Sequence, residues 1–261
     1  MGSFAPFDPV HATILTVPGL GGSGPAHWQT LWEKERPNVR RVELGMWDTP
    51  HRNAWVSRLD QAIAQAQAPV ILVAHSLGCI AVAWWASLSP QPYGWPVAGA
   101  LLVAPADVDR GTARELAGFA PTPQQPLPFP SIVIGSQDDP WIAIDRARGL
   151  AACWGSHFVD AGRAGHLNAA SGLGRWPEGL EQLDRVIAAS GHGQARSPGD
   201  ARAMLTGPPP ESPARLYSAN GLRIVSTPSM TSPWCMSSDH NTSHPLDRAA
   251  ATIMPSYTDS L

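Results

Sequence analysis

The chain has 261 residues and a net charge of −3, and 43% of its residues are hydrophobic and 15% charged. This length is enough for one globular core with residues left over, and the near-neutral charge excludes the basic surface that binds nucleic acid or anionic membranes. The N-terminus lacks a signal-peptide pattern, and no apolar run approaches the about 20 residues of a membrane span. We therefore expect a cytoplasmic protein with neither a nucleic-acid nor a membrane partner.

Apolar runs of strand length alternate with helical apolar stripes between residues 11 and 190. The predicted strands are 13–17, 39–44, 70–74, 97–104, 131–135 and 158–160. The predicted helices begin at Pro25 and continue over about 55–63, 77–88, 144–154 and 176–189. Strands that alternate with helices indicate a parallel sheet covered on both faces. We predict an α/β domain over 11–190, with a doubly wound, mostly parallel sheet of about six strands in three α/β/α layers.

Residues 191–261 have a different composition. Pro, Ser, Thr and Gly dominate, and only 222–225 resembles a strand. Such a segment buries too little apolar surface to offset its ordering entropy. We predict a mostly disordered tail.

The segment 70–80 has the pattern of a nucleophile elbow, which is a strand, a sharp turn that carries a serine, and a helix. The apolar run of the strand ends at Ala74, His75 and Ser76 follow, and Gly78 opens the next helix. The usual motif is G-x-S-x-G, so Ala74 departs from it by one methyl group. Ser76 is the predicted nucleophile.

Polar side chains follow the predicted strands, and the carboxyl ends of parallel strands meet at one edge of a sheet. The first strand is followed by the glycine-rich segment 19–24, the third by Ser76, the fourth by Asp107, the fifth by Asp138 and Asp139, and the sixth by His166. Ser, Asp and His in this chain order are typical of α/β-hydrolases. The sequence therefore predicts a catalytic triad at this edge.

The chemistry of acyl transfer gives each member of the predicted triad a role. Ser76 needs a base to take its proton, His166 can do so, and a carboxylate behind His166 fixes its tautomer. Asp138 and Asp139 are adjacent, so both cannot point at His166. We favour Asp139, because the extra residue gives the loop room to curl toward the histidine, and we expect Asp138 to bind loop amides.

The oxyanion hole and the substrate pocket are predicted from the same strand ends. Backbone N–H groups of Leu20 and Leu77 are the candidates for oxyanion donors. Trp28, Trp47 and Trp141 are candidates to line an acyl or alcohol pocket. Only residues 105–130, with a short helix around 112–119, separate the fourth strand from the fifth, which is too little for a cap domain.

Other histidines and cysteines receive structural assignments. We expect His75 to point off the turn and His27 to pack locally at a helix start. Cys79 and Cys153 lie in predicted helices, so we expect buried reduced thiols. No metal site is predicted, because Asp239, His240 and His244 lie in a Ser/Thr-rich segment. Gly19-x-Gly21-x-x-Gly24 is a weak dinucleotide match without a clear acidic partner, so we expect no cofactor.

Four segments together resemble the small serine hydrolases grouped with YdeN and retinoblastoma-binding protein nine. They are 18–28 (PGLGGSGPAHW), 101–108 (LLVAPADV), 135–140 (GSQDDP) and 165–168 (GHLN). The resemblance covers about 13–190 and implies a lidless α/β-hydrolase without a cofactor, with nucleophile, acid and base on Ser76, Asp139 and His166. The Leu-x-Cys-x-Glu motif of pocket-protein ligands is absent, so the resemblance implies no retinoblastoma-binding role and the protein partner is unknown.

The sequence thus predicts an esterase-like serine hydrolase of small acyl substrates that acts through an acyl-enzyme. Triad chemistry alone does not separate ester from amide or thioester cleavage. The alternative is a catalytically weak hydrolase-fold protein used for binding.

Overall fold

The computed structural model of the chain describes residues 12–67, 69–88, 96–110 and 113–191, together with the backbone of 223–224. These residues form one sheet with the strand order β2-β1-β3-β4-β5-β6-β7. The strands are β1 (Thr13–Val17), β2 (Val39–Arg41), β3 (Val70–His75), β4 (Val97–Val103), β5 (Ser131–Gly135), β6 (His157–Asp160) and β7 (Arg223–Ile224). The first six strands are parallel, and β7 pairs antiparallel with β6.

Helices cover both faces of the sheet. They are α1 (Trp28–Glu35), α2 (Arg52–Gln65), α3 (Leu77–Leu88), α4 (Ile144–Cys153) and α5 (Pro177–Gly191). Helices α1 and α5 pack on one face, and α2, α3 and α4 pack on the other. The predicted three-layer α/β/α architecture is confirmed.

Strand β3 shows why the central strands read as unbroken apolar runs. All six of its residues are buried, because helices cover both of its faces. Ile71 and Val73 pack toward α1 and α5, whereas Leu72 and Ala74 pack toward α2 and α3. This alternation follows from the period of two along a strand.

The ends of several elements differ from the predictions. Strand β2 ends at Arg41 rather than at residue 44, because Leu44 N donates to Val42 O within its own segment instead of to β1. Helix α1 begins at Trp28 rather than Pro25, because the ring nitrogen Nδ1 of His27 accepts a hydrogen bond from Gln29 N and caps the helix. These ends depend on local hydrogen bonds that apolar periodicity does not reveal.

Two further predictions concern segments outside the central sheet. In the described part of residues 105–130, the regular element is a six-residue 3-10 helix, Arg114–Phe119. Gly191, the first residue of the predicted tail, is the last residue of α5, and beyond it the predicted disorder lies outside the described residues except at β7, which joins the sheet edge beside β6. Strand β7 lies within 222–225, the stretch of the tail that resembles a strand in the sequence.

The described cysteines differ in state. Cys79 is a free thiol buried in α3, as predicted. Cys153 is disulfide-bonded, so the reduced thiol predicted there is wrong. A helical apolar stripe predicts burial of a cysteine but carries no information on its pairing.

The strand order fixes where a site can form. The sheet grows outward from β1 to β2 on one side and from β3 to β4 on the other, so the connections diverge between β1 and β3. A crevice opens at the carboxyl ends of two such strands. The glycine-rich segment 19–24 follows β1 and Ser76 follows β3, so both lie at this switch point. Among the described helices, none combines the length and apolar character needed to span a bilayer.

Candidate active site

Ser76 occupies a strained turn between β3 and α3. Its φ angle is 53°, in the left-handed region that non-glycine residues rarely adopt. Gly19 and Gly78 make room for the turn. A Cβ on Gly78 would overlap Val17 O, and a Cβ on Gly19 would lie 2.8 Å from Ser76 Cβ. The turn therefore has the geometry of a nucleophile elbow, as the sequence predicts.

A chain of hydrogen bonds joins three side chains from three loops. His166 Nε2 lies 2.9 Å from Ser76 Oγ. On the other side of the ring, His166 Nδ1 lies 2.9 Å from each carboxylate oxygen of Asp139. The Asp139 side chain is fully buried, and its Oδ1 also accepts a hydrogen bond of 2.8 Å from Trp141 N. With Nδ1 donating to the carboxylate, Nε2 is left to accept the serine proton.

Asp138 has different partners from its neighbour. Its Oδ1 accepts hydrogen bonds from Gly165 N at 2.8 Å and from Ser136 Oγ at 2.9 Å. These bonds lower the pKa of the exposed Asp138 carboxyl below its usual value, and the bond from the Gly165 amide has the strongest influence. Asp138 thus ties the loop after β5 to the loop that carries His166, while Asp139 faces the imidazole.

Further bonds hold these two loops in register. Asp160, the last residue of β6, accepts hydrogen bonds from Gly162 N at 2.8 Å and from Gln137 Nε2 at 3.0 Å. Ala164 N donates to Ser136 Oγ at 3.0 Å. The position of His166 relative to Asp139 is therefore set mainly by side chains that lie at the ends of β5 and β6.

The glycine-rich segment is held over the elbow by a buried glutamine. Gln29 accepts a hydrogen bond of 2.6 Å from Ser23 Oγ, and its Nε2 donates to Val73 O at 2.9 Å. The predicted oxyanion donors, Leu20 N and Leu77 N, lie in this segment and at the start of α3. Within the described residues, no hydrogen bond engages either amide. Gln29 was not predicted as part of the site, although a polar residue on an apolar helix face was a usable signal.

These groups border a cavity of about 160 Å³. Its polar lining residues are His27, His75, Ser76, His166 and Asn168. Its other lining residues are Leu20, Gly22, Ala106, Leu116 and Trp141. Ala106, Leu116 and Asn168 were not predicted, because they come from loops whose path the strand pattern does not fix.

The three tryptophans proposed for the pocket have different positions. Trp141 lines the cavity, and its ring lies 6.0 Å from that of His166. Trp47 packs below the glycine-rich segment, where its carbonyl accepts a 2.9 Å bond from Gly21 N, and it is not among the cavity-lining residues. Trp28 does not line the cavity, contrary to the predicted pocket role. It is 1% exposed, and its indole N–H donates to Leu167 O at 2.8 Å. It supports the His166 loop from the core because α1 points it inward.

Two further histidines lie beside the candidate triad. His75 does not point off the turn as predicted but lines the cavity, and its Nε2 donates to His166 O at 2.9 Å. Burial, together with His166 and His27 nearby, holds the pKa of His75 well below its ordinary value of 6.5. His27 also lines the cavity, and burial, with a smaller contribution from Arg41, lowers its pKa to about 4. Both rings are neutral at pH 7.

Comparison with known proteins assigns the family. Residues 14–185 match the family model described as serine hydrolase. The chain belongs to the serine hydrolase family. This confirms the resemblance seen in the sequence.

Solved structures show the same relationship. A YdeN-like hydrolase from Pectobacterium atrosepticum is 31% identical to this serine hydrolase, with a TM-score of 0.62. The matched region covers 69% of this chain and 93% of the Pectobacterium chain. The ydeN gene product of B. subtilis is 20% identical, covers 67% of this chain and 98% of its own, and shares the fold with a TM-score of 0.55. No curated protein sequence matches the chain significantly.

The residues of this serine hydrolase that the structure describes hold no cluster of three or more His, Cys, Asp or Glu side chains suited to a metal ion. The segment with Asp239, His240 and His244 lies outside the described residues. The arrangement at the switch point is suited to transfer of an acyl group to a serine hydroxyl and from there to water.

Proposed function

We propose that this serine hydrolase is a carboxylic ester hydrolase that cleaves small acyl substrates through an acyl-enzyme on Ser76. The observation that carries the proposal is the unbroken chain of hydrogen bonds from Asp139 through His166 to Ser76, each of 2.9 Å. A serine hydroxyl is a weak nucleophile unless an adjacent base takes its proton, and this chain supplies that base.

In the first half of the reaction, His166 Nε2 takes the Ser76 proton as Oγ attacks the ester carbonyl carbon. The N–H groups of Leu20 and Leu77 donate to the oxyanion that forms. His166 then returns the proton to the alcohol oxygen, the C–O bond breaks and the alcohol leaves. Water repeats the sequence on the acyl-enzyme, which releases the acid and restores the Ser76 hydroxyl.

Asp139 acts on His166 rather than on the substrate. It accepts the Nδ1–H, which keeps the imidazole in the tautomer whose Nε2 is a base, and it stabilises the imidazolium. Its side chain is fully buried, so water does not screen this interaction.

The size of the cavity supports small acyl substrates. Its volume of about 160 Å³ is below the about 300–1,000 Å³ typical of sites for drug-sized ligands. A single six-residue 3-10 helix stands in the described part of the segment where a cap domain would be inserted, and its Leu116 forms part of the cavity wall.

Hydrolysis of p-nitrophenyl acetate tests the proposal. We expect turnover by the wild-type protein and a loss of rate on the order of 10⁴–10⁶ in Ser76→Ala, by analogy with triad proteases. Matched amide and thioester substrates distinguish the ester preference. A protein that binds these substrates without turnover would instead be the catalytically weak binding protein that the sequence left open.

A further inference from the structure

Among the described residues that line the cavity, His27 is a buried polar group that has no part in the acyl-transfer chemistry and leaves one ring nitrogen without a hydrogen-bond partner. His27 is 3% exposed, and its ring borders the cavity together with Ser76 and His166. Its ring lies 4.8 Å from that of His75, which in turn lies 4.9 Å from that of His166. His27 is thus two rings away from the base of the candidate triad and has no contact with the proton that His166 moves.

Hydrogen bonding fixes which nitrogen of His27 carries the proton. Nδ1 accepts a bond of 3.2 Å from Gln29 N, so it is the unprotonated nitrogen of a neutral ring. The pKa of about 4, lowered mainly by burial, keeps the ring neutral at pH 7. The proton is therefore on Nε2, which is a donor.

Nε2 has no hydrogen-bond partner within the described part of the chain. A buried donor without a partner destabilises the fold, and such groups are uncommon in native proteins. His75 differs, because its Nε2 donates to His166 O. Because the His27 ring borders the cavity, an oxygen atom of a bound substrate is a candidate acceptor for this donor.

We propose that His27 Nε2–H donates a hydrogen bond to a neutral oxygen atom on the acyl chain of the substrate, so that the enzyme prefers oxygen-substituted acyl groups to plain alkyl ones. The inference rests on the proposed ester hydrolysis and specifies its substrate class. It makes His27 a residue that determines specificity.

The charge of the cavity favours a neutral oxygen over a carboxylate. Among the described residues that line it, none is Lys, Arg, Asp or Glu, and both His27 and His75 are neutral. A carboxylate on the acyl chain would have no cation to replace its hydration. An ether, keto or hydroxyl oxygen needs one donor, which His27 provides.

Burial favours the acyl side of the ester over the alcohol side. His27 is 3% exposed, whereas Trp141, which also lines the cavity, is 41% exposed. The acyl group stays on Ser76 while the alcohol leaves for solvent. The enclosed side of the cavity therefore suits the acyl group and the open side suits the leaving group.

Ester pairs that differ by one oxygen test the proposal. p-Nitrophenyl methoxyacetate and butyrate differ by an ether oxygen in place of a methylene, as do the 3-methoxypropionate and valerate. The readout is the ratio of kcat/KM within each pair, divided by the same ratio for hydroxide hydrolysis, which removes the intrinsic reactivity. We expect at least one ratio to favour the ether ester and to fall about 10–100-fold in His27 variants.

Three variants separate the donor from other roles of His27. His27→Phe keeps a ring but has no donor, and His27→Ser keeps a side-chain oxygen to cap α1. Both variants are expected to lose the preference for the ether ester. His51→Phe is the matched control, since His51 stands at the same position before α2 without a side-chain capping bond, and it is expected to retain the ratio. Ratios that stay within about twofold of wild type in both His27 variants would overturn the proposal and leave water as the partner of Nε2.

A binding measurement keeps this inference separate from the proposed function. In Ser76→Ala, the ¹H–¹⁵N resonance of His27 Nε2–H is followed during titration with N-methyl methoxyacetamide and with N-methylbutyramide. A shift with the methoxy amide alone supports the His27 contact even if no ester is turned over. Equal shifts, or none, would overturn it even if ester hydrolysis at Ser76 is found.

Discussion

At the scale of single residues, two adjacent aspartates have different partners. Asp139 faces His166 with both oxygens at 2.9 Å, whereas Asp138 binds Gly165 N and Ser136 Oγ. Asp139→Asn removes the acceptor that sets the imidazole tautomer, so we expect kcat to fall about 10³–10⁴-fold. Asp138→Asn is the matched change one residue away, and we expect it to lower mainly the melting temperature. Steady-state kinetics and thermal melts of both variants test this assignment. A larger loss of kcat in Asp138→Asn than in Asp139→Asn would reassign the acid to Asp138.

Residues whose roles follow from their order along the chain could be predicted from the sequence. Residues whose roles depend on the direction of the side chain could not. Ser76, Asp139 and His166 were predicted because each follows a strand. Trp28 follows a strand end as well, but its indole donates to Leu167 O across 139 residues of sequence, which no local pattern reveals. The position of His75 in the cavity wall was missed for the same reason.

At the scale of elements, the crossing of α3 over β1 depends on Gly78. A Cβ there would overlap Val17 O, which is backbone and cannot rotate away. Overpacking of this kind costs about 1–3 kcal/mol, so we expect Gly78→Ala to lower the free energy of unfolding by that amount. Gly118→Ala is the control, because a Cβ at Gly118 meets nothing within 4 Å. Urea unfolding of the two variants makes the comparison, and equal stability would show that the crossing tolerates a methyl group.

The central elements could be predicted because their residues are uniformly apolar and buried. Strand β3 and helix α3 lie within the predicted ranges to about one residue. Edge elements were harder, since β2 carries Arg40 and Arg41 and keeps three residues. The two-residue β7 lies within 222–225, which resembles a strand in the sequence, but so short an apolar run does not reveal which strand it pairs with.

At the scale of the whole molecule, the segment between β4 and β5 is too short to form a cap domain, and this determines the expected substrate range. A cavity of about 160 Å³ accommodates short acyl chains. We expect kcat/KM for p-nitrophenyl esters to be highest for two to four acyl carbons and to fall as the chain lengthens. A rate jump as a long-chain ester crosses its micellar threshold would contradict this expectation.

We also propose that the hydrolase domain, residues 11–190, is sufficient for activity. All candidate site residues precede residue 190, and β7 contributes two residue pairs, Val159 with Ile224 and Asp160 with Arg223. A chain that ends at Ser190 is expected to keep its esterase rate and to melt within a few degrees of the full chain. Both chains are melted with a reductant, so that the disulfide of Cys153 stabilises neither. A drop of ten degrees or more would show that the segment after residue 190 is part of the folded unit.

Intact mass after exposure to a fluorophosphonate, followed by peptide mapping, shows whether Ser76 is an activated nucleophile. Because His166 Nε2 lies 2.9 Å from Ser76 Oγ, we expect one adduct per chain, located on Ser76 and absent from Ser76→Ala. An adduct on a different serine, or a folded wild-type protein that stays unlabelled, would contradict it.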